Sequence, residues 1–398
     1  MKTLRLRIAS ARLEPDEVLS QPAEIGRAGD PIAKDPALLK AAAILRGGGL
    51  VAFPTETVYG LGANALDAIA VEKIFAAKQR PHWDPIIVHV AEAAAARGLI
   101  AEWPEAAERL AQSFWPGPLT MLLPRETVVP DVVTAGRDKV GLRVPAHSVA
   151  RALIAAAGVP IAAPSANRFG HTSPTTAEHV LADLDGRIDA VLDAGGCAIG
   201  LESTVMDPTT NPARVYRPGG ATIEQLRAAL SRLGVGVELA EHIPYDSTRR
   251  GNGVSQEEAS QEEAPPEALA FSPSTPNTVA LGAPPSPGMG MRHYAPRARM
   301  VLVETEDELR QAVERAAREH RVGVLLPQEW PMPAGAAPGG SVMVLRWGRW
   351  SEPESLAREL YAKMRALDEA GVEAIVCPLP KAEGIGVALR DRLRKAAK

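Results

Sequence analysis

Cysteine is nearly absent from this chain. Cys197 and Cys377 are the only two, far apart and outside any CxxC or Cys/His spacing. That usage argues for a reducing compartment and against a structural zinc site, and two buried thiols are the simplest reading. Long apolar runs are missing too: nothing approaches the ~18 residues a membrane span requires, and the start, MKTLRLRIASARLEPDEV, lacks the apolar core of a signal peptide. A soluble cytoplasmic protein is expected. Nor is there a bulk positive field, since 44 Lys and Arg face 48 Asp and Glu for a formal charge of -4, so any nucleic-acid contact would have to be local. No GxxxxGK(S/T) loop occurs, and any nucleotide phosphates would have to be held by side chains and turn amides. His82, His147, His171 and His179 fall in no HExxH or other metal-ligand spacing, so no protein-built metal site is proposed.

What is present is ample apolar material, 46% of 398 residues, enough for two or three domains at about 150 residues each. Residues 1–34 read as a polar arm. From Asp35 the pattern turns regular: Asp35 can cap a helix with Pro36 at its first position, Leu38, Ala41, Ala42 and Leu45 give an apolar face, and Gly47 to Gly49 stop it. Short β-rich runs then alternate with helices to about residue 237, an α/β domain of some 200 residues. One helix, 176–184, has a Thr175 to Glu178 capping box. Residues 238–297 shift to Pro, Ser, Glu and Gly, with SQEEA twice in tandem, which reads as a flexible linker. A second β/α alternation over 298–398 reads as a smaller Rossmann-like domain without a phosphate loop.

The chemistry gathers in 51–90, where a strand, a Thr/Glu/Thr/Tyr elbow, a helix, a Lys/Arg/His loop and a second strand follow one another. Open α/β sheets hold ligands at strand ends, so hydroxyls and fixed cations brought together there suggest a pocket for an anionic small molecule. Gly60-Leu61-Gly62-Ala63-Asn64-Ala65 fits a GxGxxA fingerprint, but no acid follows about 20 residues on, and a Gly turn between strand and helix is the expected role. Lys78, Arg80 and Arg143 flank predicted strand ends, and Arg217 precedes a Pro-Gly-Gly turn whose amides could face an anion. Ser165 and Ser203 follow Gly/Pro-rich turns without a GxSxG elbow, so orienting a bound amino acid or phosphate suits them better than hydrolysis. His89 closes an apolar strand, where a core histidine is usual, yet the basic loop before it sets the ring near the same crevice.

These residues fall within PTETVYGLG (54–62), KxRP (78–81), PIIVHV (85–90), FWPGPLT (114–120), RVPAH (143–147), APSAN (163–167), ESTV (202–205) and RPG (217–219). With them the chain closely resembles the threonylcarbamoyl-AMP synthases, in the long form with a YrdC-like domain and a smaller C-terminal domain. The resemblance runs from about Leu38 to Leu230 and resumes at Ser286. It implies a YrdC-like twisted mixed sheet with flanking helices followed by a Rossmann-like domain, and a nucleotidyltransferase making L-threonylcarbamoyladenylate from L-threonine, bicarbonate and ATP with release of pyrophosphate. Threonine would lie against Thr57, His89, Arg143, Ala163 and Ser203. ATP, with Mg2+, would lie against Arg80, Asp84, Lys139, Ser165, Ser173 and Arg217, with Lys78 beside its phosphates. Lys78, Arg80 and Arg143 would carry catalysis by charge, and the product would pass to a tRNA threonylcarbamoyl transferase, with neither stable tRNA binding nor a membrane expected. An RNA-binding module of the same fold is the alternative; it lacks an RNP-type aromatic motif or a Lys/Arg-rich tract.

Two departures stand out. Asp84 replaces the Asn or other uncharged residue common in relatives; a carboxylate beside a triphosphate suggests magnesium contact. In SPGMGMRHYAP (286–296), Gly290 and Met291 replace the family's Lys and Tyr in a segment that folds over the site as a gate, leaving Arg292, His293 and Tyr294. These three are expected to close on nucleotide and slow product release.

Overall fold

Asp35 does cap the first helix, Pro36–Arg46, its carboxylate accepting from the Ala37 amide at 2.8 Å. The helix lays Leu38, Ala41 and Leu45 against Val149 and Leu153 of the helix Ser148–Ala157 and against Val51 and Phe53 beneath, so each buried leucine contributes about 1.5–3 kcal/mol. The computed structural model describes residues 2–8, 31–240, 293–336 and 340–398.

Under these helices runs an eleven-stranded mixed sheet. Its order is β1 (Leu4–Arg7), β8 (Ala190–Asp193), β2 (Val51–Phe53), β3 (Gly60–Asn64), β7 (Ile161–Ala162), β4 (Val88–His89), β6 (Lys139–Arg143), β5 (Leu119–Pro124), β9 (Thr204–Asp207), β10 (Ala213–Arg217) and β11 (Val237–Leu239). On the opposite face the helix Ala68–Lys78 packs Val71, Ile74 and Phe75 into a separate core with Leu110 and Val180. Helices on both faces explain why β2 and most of β5 are apolar throughout rather than alternating.

Three local expectations change. Residues 4–7 of the arm pair with β8 as an edge strand. Gly60 to Asn64 is strand β3 and not a turn, antiparallel to β2 with Phe53 opposite Gly60. Its glycines answer to sheet packing: a Cβ on Gly62 would come 2.9 Å from both the Ile161 and Phe53 side chains. The cap of the helix Ala177–Leu184 is Thr176, one residue later than the Thr175 box placed it, with Thr176 Oγ1 accepting from the His179 amide at 3.3 Å.

The second sheet is fully parallel, in the order β12 (Arg299–Val303), β15 (Ala374–Pro378), β13 (Val322–Pro327) and β14 (Val342–Gly348). On one face the helices Pro353–Glu369 and Gly386–Ala396 form an apolar core with Leu356, Leu360, Met364 and Leu389, and Val58 and Leu201 of the first domain belong to that same core. Arg358, Tyr361 and Arg365, one helix face, reach across to the Ala198 carbonyl, Glu202 and Asp183. No helix among the described residues is long and apolar enough to cross a membrane.

Candidate active site

The turn between β2 and β3 holds itself in shape. Thr55 Oγ1 accepts from the amides of Thr57 and Val58 at 3.2 Å each, donates to the Val58 carbonyl at 2.6 Å and lies 2.8 Å from Thr57 Oγ1. That loop sends Glu56 inward, fully buried, where its Oε1 accepts from Arg143 Nη2 at 2.6 Å. Arg143 also donates from Nε to the Gly117 carbonyl at 3.1 Å. Two of its nitrogens are thus held by the protein, and Nη1 makes no hydrogen bond among the described residues.

Strand pairing delivers the rest. Because β7, β4 and β6 are neighbours, His89 sits opposite Arg143 on one side and Ile161 on the other, and the Ala163 amide donates to the Ile87 carbonyl. His89 is buried and its Nδ1 has no partner; burial first and then the Arg143 charge lower its pKa to about 3, so the ring is neutral. Beside β5, Ser203 shares a 2.8 Å hydrogen bond with Thr120 Oγ1, while Arg217 donates to the Ser203 carbonyl from Nε and Nη2 and to its hydroxyl at 3.2 Å. Arg80 reaches back to its own loop, donating to the Asp84 and Pro85 carbonyls and pairing with Asp84 Oδ2 at 2.9 Å. Burial raises the Asp84 carboxyl from its ordinary value, outweighing Arg80.

These groups line one cleft. All five residues of the threonine set, Thr57, His89, Arg143, Ala163 and Ser203, line it, as do Arg80, Ser165 and Arg217 of the ATP set. The other four are not among its lining residues. Lys78 is buried and donates to the Ser165 and Asn167 carbonyls, bracing that loop, and burial holds its pKa well below the ordinary lysine value. Lys139 pairs with Asp207 at 2.6 Å and reaches Thr209; Ser173 donates to Glu202 Oε1 at 2.6 Å; Asp84 faces Arg80. His293 and Tyr294 line the cleft, fastened by the Ala295 amide donating to the Gly170 carbonyl, and Arg292 lies outside the described residues. Burial and the Arg80 charge keep His293 neutral.

A resident magnesium site does not fit. Among the described residues no three His, Cys, Asp or Glu side chains cluster, and Asp84 offers a single partnerless oxygen, Oδ1, its other being taken by Arg80.

Sequence reasoning missed the carboxylates Glu56 and Glu202. Both stand inside motifs, PTETV and ESTV, yet their roles lie in partners far along the chain. It also missed Tyr361 and Arg392 of the second domain, for which no local signal exists.

Residues 43–219 match the family model described as "Telomere recombination", and residues 222–398 match "Threonylcarbamoyl-AMP synthase, C-terminal domain". The threonylcarbamoyl-AMP synthase of Pyrococcus abyssi is 39% identical over 363 residues, 90% of this chain and 93% of that protein. The chain belongs to the threonylcarbamoyl-AMP synthase family. The Bacillus subtilis threonylcarbamoyl-AMP synthase is likewise 39% identical over 368 residues, covering 91% of this chain and 93% of its own length. Among solved structures, P. abyssi Sua5 complexed with L-threonine superposes with a TM-score of 0.74 at 35% identity, spanning 100% of this chain and 98% of that one. Both domains of the threonylcarbamoyl-AMP synthase family are thus matched, and this is an enzyme rather than an RNA-binding module.

Proposed function

We propose that this chain synthesises L-threonylcarbamoyladenylate from L-threonine, bicarbonate and Mg·ATP, releasing pyrophosphate, for later transfer to tRNA by another enzyme. The observation that carries the reading is that Arg143, Arg80 and Arg217 open onto one cleft together with the Thr57 and Ser203 hydroxyls. Arg143 is clamped by Glu56 and the Gly117 carbonyl, which leaves Nη1 for the threonine carboxylate. Neutral His89 and the two hydroxyls suit the polar groups of the amino acid.

Threonine and bicarbonate condense to N-carboxythreonine with loss of water. An oxygen of its N-carboxylate then forms the bond to the α-phosphorus while the bond from that phosphorus to the oxygen bridging to the β-phosphate breaks, the electron pair leaving on pyrophosphate. The substrate is its own nucleophile, so alignment and charge neutralisation suffice, and no covalent enzyme group is required. Arg80 and Arg217 would offset charge developing on the leaving group. Loss of either should raise the barrier by about 2.7–4 kcal/mol if it acts like an oxyanion donor.

The test is incubation with threonine, bicarbonate, magnesium and ATP labelled in the α-phosphate. A labelled threonylcarbamoyl adduct with stoichiometric pyrophosphate is expected; the absence of both refutes the reading.

A further inference from the structure

The last helix, Gly386–Ala396, carries a fully buried arginine, Arg392, at 1% exposure. A guanidinium there is costly unless its faces are all used. Arg392 Nε donates to Glu202 Oε2 at 2.7 Å and Nη2 to the Pro218 carbonyl at 2.9 Å, Nη1 meets Asp391 of its own helix, and the flat face lies 4.9 Å from the centre of the Tyr294 ring. Each partner outside its own helix lines the cleft or adjoins a residue that does. Glu202 is on its wall and precedes Ser203; Pro218 follows Arg217; Tyr294 is on the wall itself. The two loops are pressed together, since a Cβ on Gly219 would come 2.3 Å from the Glu202 carbonyl oxygen. Tyr361 of the helix Pro353–Glu369 completes the arrangement, donating to Glu202 at 3.0 Å and stacking on Tyr294 at 6.0 Å between ring centres.

We propose that Arg392 is a positioning residue of the adenylating site: one guanidinium ties the Glu202–Ser203 loop, the Arg217–Pro218 turn and Tyr294 together, so the cleft is complete only with the C-terminal domain docked. Arg392 touches no reacting atom. It acts through Ser203 and Arg217, which are themselves joined by three hydrogen bonds. The inference rests on the synthesis proposed above and gives the C-terminal domain a part in it.

The electrostatics agree with the geometry. Burial pushes the Glu202 carboxyl up, while the charges of Arg392 and Arg217 draw it below its ordinary range. The Tyr361 and Tyr294 phenols also face it, both raised by burial and neutral, Tyr294 to about 12. With Arg392 removed, the Arg217 charge and the Ser173 hydrogen bond still oppose the burial, but the largest opposing influence is gone.

The experiment uses the full chain and the α-labelled ATP assay on Arg392→Lys, Arg392→Met, Tyr361→Phe and the double variant Glu202→Gln/Arg392→Met, with rates taken per folded molecule. Lysine keeps the charge but not the fork, so Arg392→Lys should lower kcat/KM for threonine by about tenfold to a hundredfold. Arg392→Met should also move the acid limb of the kcat/KM profile to higher pH, and adding Glu202→Gln should abolish that movement. A merely structural role would reduce the folded fraction without shifting the acid limb or kcat/KM. Unchanged kcat/KM in Arg392→Lys and Tyr361→Phe, or an unmoved acid limb in folded Arg392→Met, overturns the proposal; should Arg392→Met not fold, the first two variants decide. A wild-type chain that makes no adduct refutes the proposed synthesis instead, and calorimetric threonine titration then decides the inference separately, equal affinity in wild type and Arg392→Lys overturning it.

Discussion

Replacing Arg143 by methionine should damage two things that a second substitution can separate. Glu56 is 0% exposed and its Oε1 accepts a hydrogen bond from Arg143 Nη2 at 2.6 Å. Removing one partner of such a pair costs about 3–5 kcal/mol, because a buried charge is left uncompensated. At about 2–4 °C per kcal/mol for a body of this size, the melting temperature should fall by about 10 °C. Threonine loses a charge-assisted contact as well, worth about 1.5–3 kcal/mol, so its affinity should weaken by about tenfold to a hundredfold. The double variant Glu56→Gln/Arg143→Met removes both charges at similar volume, which is often nearly neutral for stability. Scanning fluorimetry should show most of the melting temperature restored, while calorimetry shows threonine binding still weak. Wild-type threonine affinity in the double variant would refute the assignment of Arg143 to the carboxylate. Unchanged melting in the single variant would refute the account of the pair.

Tyr294→Ala should speed pyrophosphate release, because the ring is held between Arg392 and Tyr361 over the cleft; equal release rates in stopped flow would count against a gating role. His89, buried neutral with its pKa lowered to about 3 against an ordinary 6.5, makes the unfolded chain the stronger proton binder between those values. Stability should therefore fall on acidification through that window, by up to about 1.4 kcal/mol per pH unit from this group, and His89→Asn should flatten the slope in urea titrations. Asp84→Asn should raise the magnesium concentration needed for half-maximal turnover if Asp84 Oδ1 meets the ion carried by ATP; an unchanged dependence excludes that contact.

Much of the site was legible because its parts are short motifs whose chemistry is local. PTETV supplies the Thr57 hydroxyl and KxRP the Arg80 guanidinium, and the apolar strands beside them read from their own composition. Other features were not legible. GLGAN reads as a turn by its glycines, yet the neighbouring Phe53 and Ile161 side chains need those positions empty and make it a strand. Lys78 reads as a phosphate ligand by charge, and in the fold its ammonium is taken by two carbonyls of the 165–167 loop. Glu202 reads as part of a motif, while its partners Arg392 and Tyr361 come from elements some 160 to 190 positions further on.

The amino-acid order alone settles the alternating α/β class, the separate second domain and the supply of hydroxyls and cations, because helix caps, apolar periodicity and side-chain chemistry act over a few neighbouring residues. Only the folded chain decides that Thr57, His89, Arg143, Ala163 and Ser203 share one cleft, and that Arg392 reaches Glu202 on its wall. Strand order and domain docking are set by the summed burial of many distant contacts, and no local stretch of residues carries that sum.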